Sequence, residues 1–361
     1  MTAARTSRYQ RLSAFLASRR DAELAELAGA GRVIGIGVGG CAALIDIDRV
    51  PVFVKQIPLT DREVANPGAT ANLFDLPTFC QYGIGGPSFN AWRELAANIV
   101  VTEAVLAGET RSFPLLYHWR VLPGRSAPAA EHADIDAVVA AQGGSPAVRA
   151  RLDALAAASC SLVLFCEYIP HSIADWLGEN PAAKAAGVER QLSHIVAFLW
   201  DRELLHMDAH FGNMRTDGQR IYLCDFGLAT SPTFDLSAAE RAFAERHRTH
   251  DAGYIAMRLV NWLVTDVCAV APRPTGPGAR NDYVRQCAAG RIPDDVPPAV
   301  AAILTRHAPV AAAMNDFYWR LFDGDVHAEY PGHAIESMRP AVDAAVPWPD
   351  QTELLPAPDG R

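Results

Sequence analysis

The stretch His206-Met207-Asp208-Ala209-His210-Phe211-Gly212-Asn213, with Asp225-Phe226-Gly227 further on, decides how the rest of the chain reads. Between them lie an Asp217-Gly218 turn and the apolar run Ile221-Tyr222-Leu223-Cys224, the pattern of a short β-hairpin. A hairpin folds its ends together, so Asn213 and Asp225 are expected side by side, one offering an amide oxygen and the other a carboxylate. Those are the hard oxygen ligands Mg²⁺ takes when it also holds nucleotide phosphates. Asp208 has no place in the hairpin. It sits on the loop leaving the preceding helix, where its carboxylate could accept a proton from an incoming hydroxyl.

At these residues the chain resembles the protein kinase superfamily, whose catalytic loop reads His-x-Asp-x-x-x-x-Asn and whose metal-binding motif reads Asp-Phe-Gly. Either motif alone arises often by chance; the two at hairpin distance are specific. The resemblance implies an α+β, two-lobed protein-kinase-like fold, with an antiparallel sheet plus helix in the N-lobe and a mainly helical C-lobe. It also implies ATP and Mg²⁺ as cofactors, Asn213 and Asp225 as metal ligands, and Asp208 as the residue facing the acceptor.

Working outward toward the N-terminus, Gly35, Gly37 and Gly40 fit Gly-x-Gly-x-x-Gly, a spacing that lets backbone amides close over phosphates without a Cβ in the way. A tight hairpin or a Rossmann unit would begin in the same way. The residues after the glycines are strand-like, Leu44, Ile45 and Ile47 and then Val50 to Lys55, where a Rossmann unit needs a helix. Val52-Phe53-Val54-Lys55 is similar to the end of the third kinase strand, which implies that Lys55 meets the α- and β-phosphates. A helix beginning near Ser88, with Trp92, Leu95, Ala96 and Ile99, is expected to present a glutamate to Lys55. Glu94 and Glu103 both qualify, and Glu94 is favoured because more helix lies beyond it before Gly108.

Phe113 to Leu122 reads as a strand, Pro146 to Ala157 as a helix, and Ser161 to Tyr168 as a buried strand. The last runs into a segment similar to the kinase hinge, which implies that Glu167 and Tyr168 meet the adenine edge and that Asp175 approaches the ribose. Ser172 is placed to cap the next helix. Val188, Leu192, Ile195, Val196 and Leu199 give a helical stripe leading to the catalytic loop. Asp251 fits the aspartate that in kinases anchors that loop's backbone. The expected organisation is an N-terminal helical extension over 1–30, an N-lobe over 31–165 with insertions near 57–87 and 123–159, a hinge at 166–171, a C-lobe over 172–345 and a loose tail over 346–361.

The chain also departs from the family. His210 stands where Ser/Thr kinases usually carry a lysine, and Asp-x-His-x-x-Asn is similar to aminoglycoside and choline phosphotransferases. The segment from Asp225 to Asp251 is short and lacks Ala-Pro-Glu. The acceptor hydroxyl is therefore left open between a protein Ser/Thr and a small molecule. Met207, where many kinases have an arginine, cannot pair with a phosphate, so activity is expected not to depend on phosphorylation of Thr230, Ser231, Thr233 or Ser237. A second reading is a pseudokinase serving as a nucleotide-regulated binding module, although Lys55, Asp208, Asn213 and Asp225 are all present.

Composition bounds the partners. A formal charge of −9 gives no general attraction for nucleic acid or anionic membranes. Seven cysteines lie scattered without a Cys-x-x-Cys pair, which argues against a zinc site or a disulfide framework and for reduced thiols in a cytoplasmic protein. No signal peptide is expected, and no run reaches the roughly 18 apolar residues of a membrane span.

Overall fold

The structure, a computed structural model, describes residues 3–125, 129–271 and 278–338. The expected tail and most of the Pro/Gly-rich stretch from Ala271 to Arg280 lie outside the described residues. The fold is mixed α+β and divides into two compact units, Met1–Ile169 with Cys224–Ala242, and Pro170–Leu223 with Phe243–Arg361. Among the described residues, no helix is long and apolar enough to cross a membrane. All seven cysteines are free thiols.

The first unit opens with helices α1 (Ala3–Ala17) and α2 (Asp21–Gly29), broken at Arg19-Arg20 as the charge pattern anticipates. Strands β1 (Arg32–Gly37), β2 (Gly40–Ile47) and β3 (Val50–Leu59) come next, then the short α3 (Asp61–Ala65), the long α4 (Ala91–Ala107) and β4 (Leu116–Pro123). Helices α5 (Ile135–Ala141) and α6 (Pro146–Ala156) precede β5 (Cys160–Glu167). The strands form one antiparallel sheet in the order β1-β2-β3-β5-β4. Because successive side chains alternate faces, Ile57 and Leu59 of β3 share one face with Leu162, Leu164 and Cys166 of β5, where they pack against Ala91, Trp92 and Leu95 of α4. The opposite face belongs to α1 and α2. Tyr117 meets Tyr9 there, and Arg120 pairs with Asp21.

Several boundaries differ from the sequence expectation; β4, for one, starts at Leu116 rather than Phe113. β3 continues to Leu59, so the first insertion begins at Thr60 rather than at 57, the strand being held by pairing of Ile57 with Leu162 and Leu59 with Cys160. The long helix starts at Ala91 rather than near Ser88, because Asn90 is extended and its side chain accepts the Trp92 amide at 2.9 Å.

The two insertions are one module. Phe74, Leu76, Cys80 and Phe89 of the first pack with Val138, Val139, Val148 and Leu152 of the second into a separate apolar cluster. At its edge Arg151 grips Glu63 with two hydrogen bonds of 2.7 and 2.9 Å, both side chains being buried. Glu63 also accepts the Ala91 amide at 2.8 Å, and its carbonyl accepts the Trp92 indole N–H at 2.9 Å. The N-terminus of α4 is thus fixed by an ion pair that joins both insertions.

In the second unit β6 (His171–Ser172) leads into α7 (Ile173–Gly178), capped by Ser172 as expected, and then α8 (Pro181–Asp201). Strands β7 (Met214–Thr216) and β8 (Ile221–Leu223) form the anticipated hairpin, with Met214 opposite Leu223 and Gly218 in the left-handed region at φ +93°. Asp217 closes the turn by accepting the Gln219 and Arg220 amides. Helix α9 (Ala238–Arg246) carries the chain back from the first unit. After it come α10 (His250–Asp266), α11 (Gly278–Ala288), α12 (Pro298–Phe322) and α13 (Gly332–Met338). α10 is buried on nearly every side, the pattern of a helix at the centre of a core, and packs against α8, α11 and α12.

Replacing Arg151 by Ala leaves the Glu63 carboxylate buried without its cation, and the expected loss is about 3–5 kcal/mol. The double change Arg151→Met with Glu63→Met is expected to cost much less than the single one. Urea titration measures both, and a loss below about 1 kcal/mol for Arg151→Ala contradicts the brace.

Candidate functional site

Alternation along β3 puts Lys55 on the same face as Ile57 and Leu59, so its ammonium is driven into an apolar layer and needs a counter-charge. α4 supplies one. Glu94, in the first turn and 3% exposed, accepts from Lys55 Nζ through Oε1 at 2.7 Å. Glu103 lies on an exposed position later in the same helix, so burial decides between the two glutamates. A second carboxylate comes from Asp225, whose Oδ1 lies 2.8 Å from the same Nζ.

Asp225 is in the left-handed region at φ +62°, a conformation that costs a non-glycine residue energy and that recurs at functional sites. Its turn is held on both sides. Oδ1 accepts the Gly227 amide at 3.1 Å, and Phe226 is buried against Phe113 with ring centroids 6.0 Å apart.

The triad has two carboxylates to one ammonium. Burial alone would lower the pKa of Lys55, but Asp225 and then Glu94 raise it well above the ordinary lysine value. Glu94 is pushed up to about 7, first by burial and further by Asp225, against the pull of Lys55. The two shifts agree in physical terms. The cation is secure, and burial disfavours the charged form of Glu94.

The glycine turn lies over this triad. A Cβ added to Gly39 would fall 3.0 Å from Lys55 Nζ and 3.9 Å from Asp225 Oδ2, so Gly39 is the closest of these glycines to the charge centre. The Gly-x-Gly-x-x-Gly spacing picks out Gly35, Gly37 and Gly40 and passes over Gly39, although the two-residue turn Val38-Gly39 between β1 and β2 carries the signal. Gly40 has φ +117°, and a Cβ there would meet Gln56 O at 2.1 Å, whereas Gly35 and Gly37 have open space around them. Only Gly40 among the three is required by the backbone.

Glu167, expected at the hinge, is held through its side chain and its amide. Its carboxylate is gripped by Arg5, with Nη2 at 2.6 Å, and by Arg8 at 2.9 Å, while its amide donates to Leu115 O at 2.8 Å. The side chain and N–H are therefore engaged by α1 and by Leu115, the residue before β4. Tyr168 is half-buried, and Asp175 is exposed in the first turn of α7, where a carboxylate favours the helix N-terminus.

The second unit holds the other half of the motif. Asp251, at the start of α10, accepts the amides of His206 at 2.6 Å and Met207 at 2.9 Å, as its position anticipates. The loop so held is tight. Met207 has φ +66° and is fully buried, and the His210 amide donates to Asp208 O at 2.8 Å. Asn213 Nδ2 donates to both Asp208 O at 3.0 Å and Asp208 Oδ2 at 2.9 Å, which leaves Oδ1 as the atom it can offer a cation. His210 Nε2 lies 3.6 Å from Asp208 Oδ2, and its ring covers Gly212, where a Cβ would fall 2.5 Å from Cε1.

The segment after Asp-Phe-Gly is held by the first insertion and by α4. Gln81 donates to Leu228 O, Thr70 Oγ1 accepts the Asp235 amide at 2.8 Å, and Arg93 pairs with the buried Glu240 at 2.6 Å. Thr230 and Ser231 are buried.

No known protein-family model matches the chain, and no curated protein matches it in sequence.

Two outcomes test this geometry. Gly40→Ala is expected to cost more than about 1 kcal/mol, and Gly35→Ala to stay within about 0.5 kcal/mol, as read by thermal melting. Because the folded pKa of Glu94 lies above its ordinary 4.5, the native state binds the extra proton, so this contribution to stability grows as pH falls from about 7 toward 4.5. The melting temperature of wild type relative to Glu94→Gln should therefore rise over that window on acidification. A difference that stays constant with pH contradicts the assignment.

Proposed function

We propose that the chain is an ATP-dependent phosphotransferase that moves the γ-phosphoryl group of Mg-ATP to a hydroxyl acceptor. The observation that carries this reading is the buried Lys55 ammonium between Glu94 and Asp225, with the Gly39 turn lying over it. A lysine fixed by two carboxylates and roofed by glycine backbone is built to receive an anion on one side, and nucleotide phosphates suit it.

In this reading Glu94 holds Lys55 in place to meet the phosphates, and the glycine turn gives their oxygens close approach to backbone. Asp225 in the first unit offers carboxylate oxygen and Asn213 in the second an amide oxygen, and each is a hard ligand of the kind Mg²⁺ takes. When bound, Mg²⁺ neutralises charge on the phosphates. Asp208 orients the acceptor hydroxyl and takes its proton, with Asn213 and the Asp251-held backbone fixing the carboxylate. His210, beside Asp208, donates toward the transferring group when protonated. Rate enhancement then comes mostly from positioning and charge stabilisation. The burial of Thr230 and Ser231, and the clamp on residues 228–240, support an enzyme that needs no phosphorylation of that segment.

The test is incubation of the purified chain with γ-labelled ATP, Mg²⁺ and a lysate containing both proteins and metabolites, with mass spectrometry of the labelled products. Asp225→Ala and Lys55→Met are expected to lower transfer at least about 100-fold. Asp208→Asn should lower the rate by about 10²–10⁴ with ATP affinity changed no more than a few-fold. Wild-type turnover in Lys55→Met and Asp225→Ala would overturn the reading, and ATP binding without any transfer would favour a binding module.

A further inference from the structure

α10 carries Asp251, Tyr254 and Arg258 at i, i+3 and i+7, so the three side chains share one face. Asp251 holds the loop that bears Asp208. One turn on, the buried Tyr254 phenol is pushed up to about 12 by burial and then by the charge of Asp208, while Arg258 pulls it the other way. The face therefore leads from the neighbourhood of Asp208 to Arg258, with an axial rise of roughly 6 Å between Tyr254 and Arg258.

α11, which packs against α10, carries a second arginine, Arg280. Arg280 is shifted down by burial and then by the like charge of Arg258. Both arginines are half-buried, and the Nε of each is shut off from solvent with no acceptor. Neither makes an ion pair or hydrogen bond with any described residue. The contrast with Arg5, Arg93 and Arg151 is sharp, since each of those meets a carboxylate at 2.6 to 2.7 Å. Two guanidiniums on adjoining helices, with no counter-charge among the described residues, are a donor set for a carboxylate or phosphate, which accepts paired N–H bonds in the plane of the fork.

We propose that Arg258 and Arg280 form an anion subsite for the acceptor, so that the molecule phosphorylated at Asp208 carries an oxyanion one to two helical turns from its reacting hydroxyl. This rests on the phosphotransferase reading above. It narrows the acceptor to hydroxyl compounds bearing a carboxylate or a phosphate.

Calorimetric titration of the full chain with inorganic phosphate, and separately with acetate, at fixed ionic strength and with excess Mg-ADP present, tests it. Wild type is expected to bind at least one of the two anions, and the tighter one names the acceptor's group. Affinity should fall at least tenfold in Arg258→Gln and in Arg280→Gln. If circular dichroism shows that Arg258→Gln does not fold, Arg280→Gln, on the more peripheral helix, decides alone, with Arg280→Lys expected to retain part of the affinity. No binding of either anion by wild type, or unchanged affinity in the variants, overturns the proposal. A parallel titration of wild type with Mg-ATP separates the two claims. Arginine-dependent anion binding without Mg-ATP binding would leave the anion site but overturn its assignment to an acceptor. Mg-ATP binding without arginine-dependent anion binding would overturn the subsite and leave the phosphotransferase reading standing.

Discussion

The first unit depends on how one buried ammonium is kept charged. Lys55 lies in the sheet face that otherwise holds Ile57, Leu59, Leu162 and Leu164, and an unpaired charge there would cost several kcal/mol. Two carboxylates offset that cost, and each is held by a separate part of the chain. Glu94 comes from the start of α4, whose first amide and indole are fixed by Glu63 and Arg151. Asp225 comes from a turn whose phenylalanine is buried against Phe113. The triad is thus the meeting point of the sheet, the insertion module and the Asp-Phe-Gly turn.

The supports around it are other long-range ion pairs. Arg5 with Glu167, Arg151 with Glu63 and Arg93 with Glu240 each bury a guanidinium against a carboxylate, and each ties a segment outside the sheet to an element that bears on Lys55. Such pairs stabilise little relative to an apolar core but are expensive to break singly, so they fix geometry more than they add free energy. Arginine suits them because its planar fork bonds a carboxylate at two points. Lysine is used sparingly. The sequence contains just two, Lys55 and Lys184, so a compact ammonium at residue 55 stands out against an arginine-rich background.

The parts legible in the sequence were those set by short-range spacing. The hairpin from Met214 to Leu223, the Ser172 cap, the strand that carries Lys55 and the role of Asp251 all come from local pattern. Glu94 could be preferred over Glu103 by position along the helix, but its burial settled the matter. Partners far apart in sequence could not be read in this way. Nothing local links Arg5 to Glu167 or Arg151 to Glu63, because charge alone does not say which of many acidic residues a guanidinium meets. For the same reason the two insertions read as separate departures, although they share one apolar cluster. Gly39 was missed because the glycine motif fixes spacing, whereas approach to Lys55 depends on where the turn between β1 and β2 falls.

The central claim is that Lys55 faces the phosphates of a bound nucleotide, and the scarcity of lysine makes it directly measurable. An acyl-phosphate derivative of ATP transfers its acyl group to an amine within reach of the phosphates, and peptide mass spectrometry then reads which lysine was modified. The account predicts modification of Lys55, suppressed by excess Mg-ATP, with Lys184 modified weakly and without protection. Equal modification of both lysines, or modification of Lys55 that excess Mg-ATP does not suppress, would contradict it.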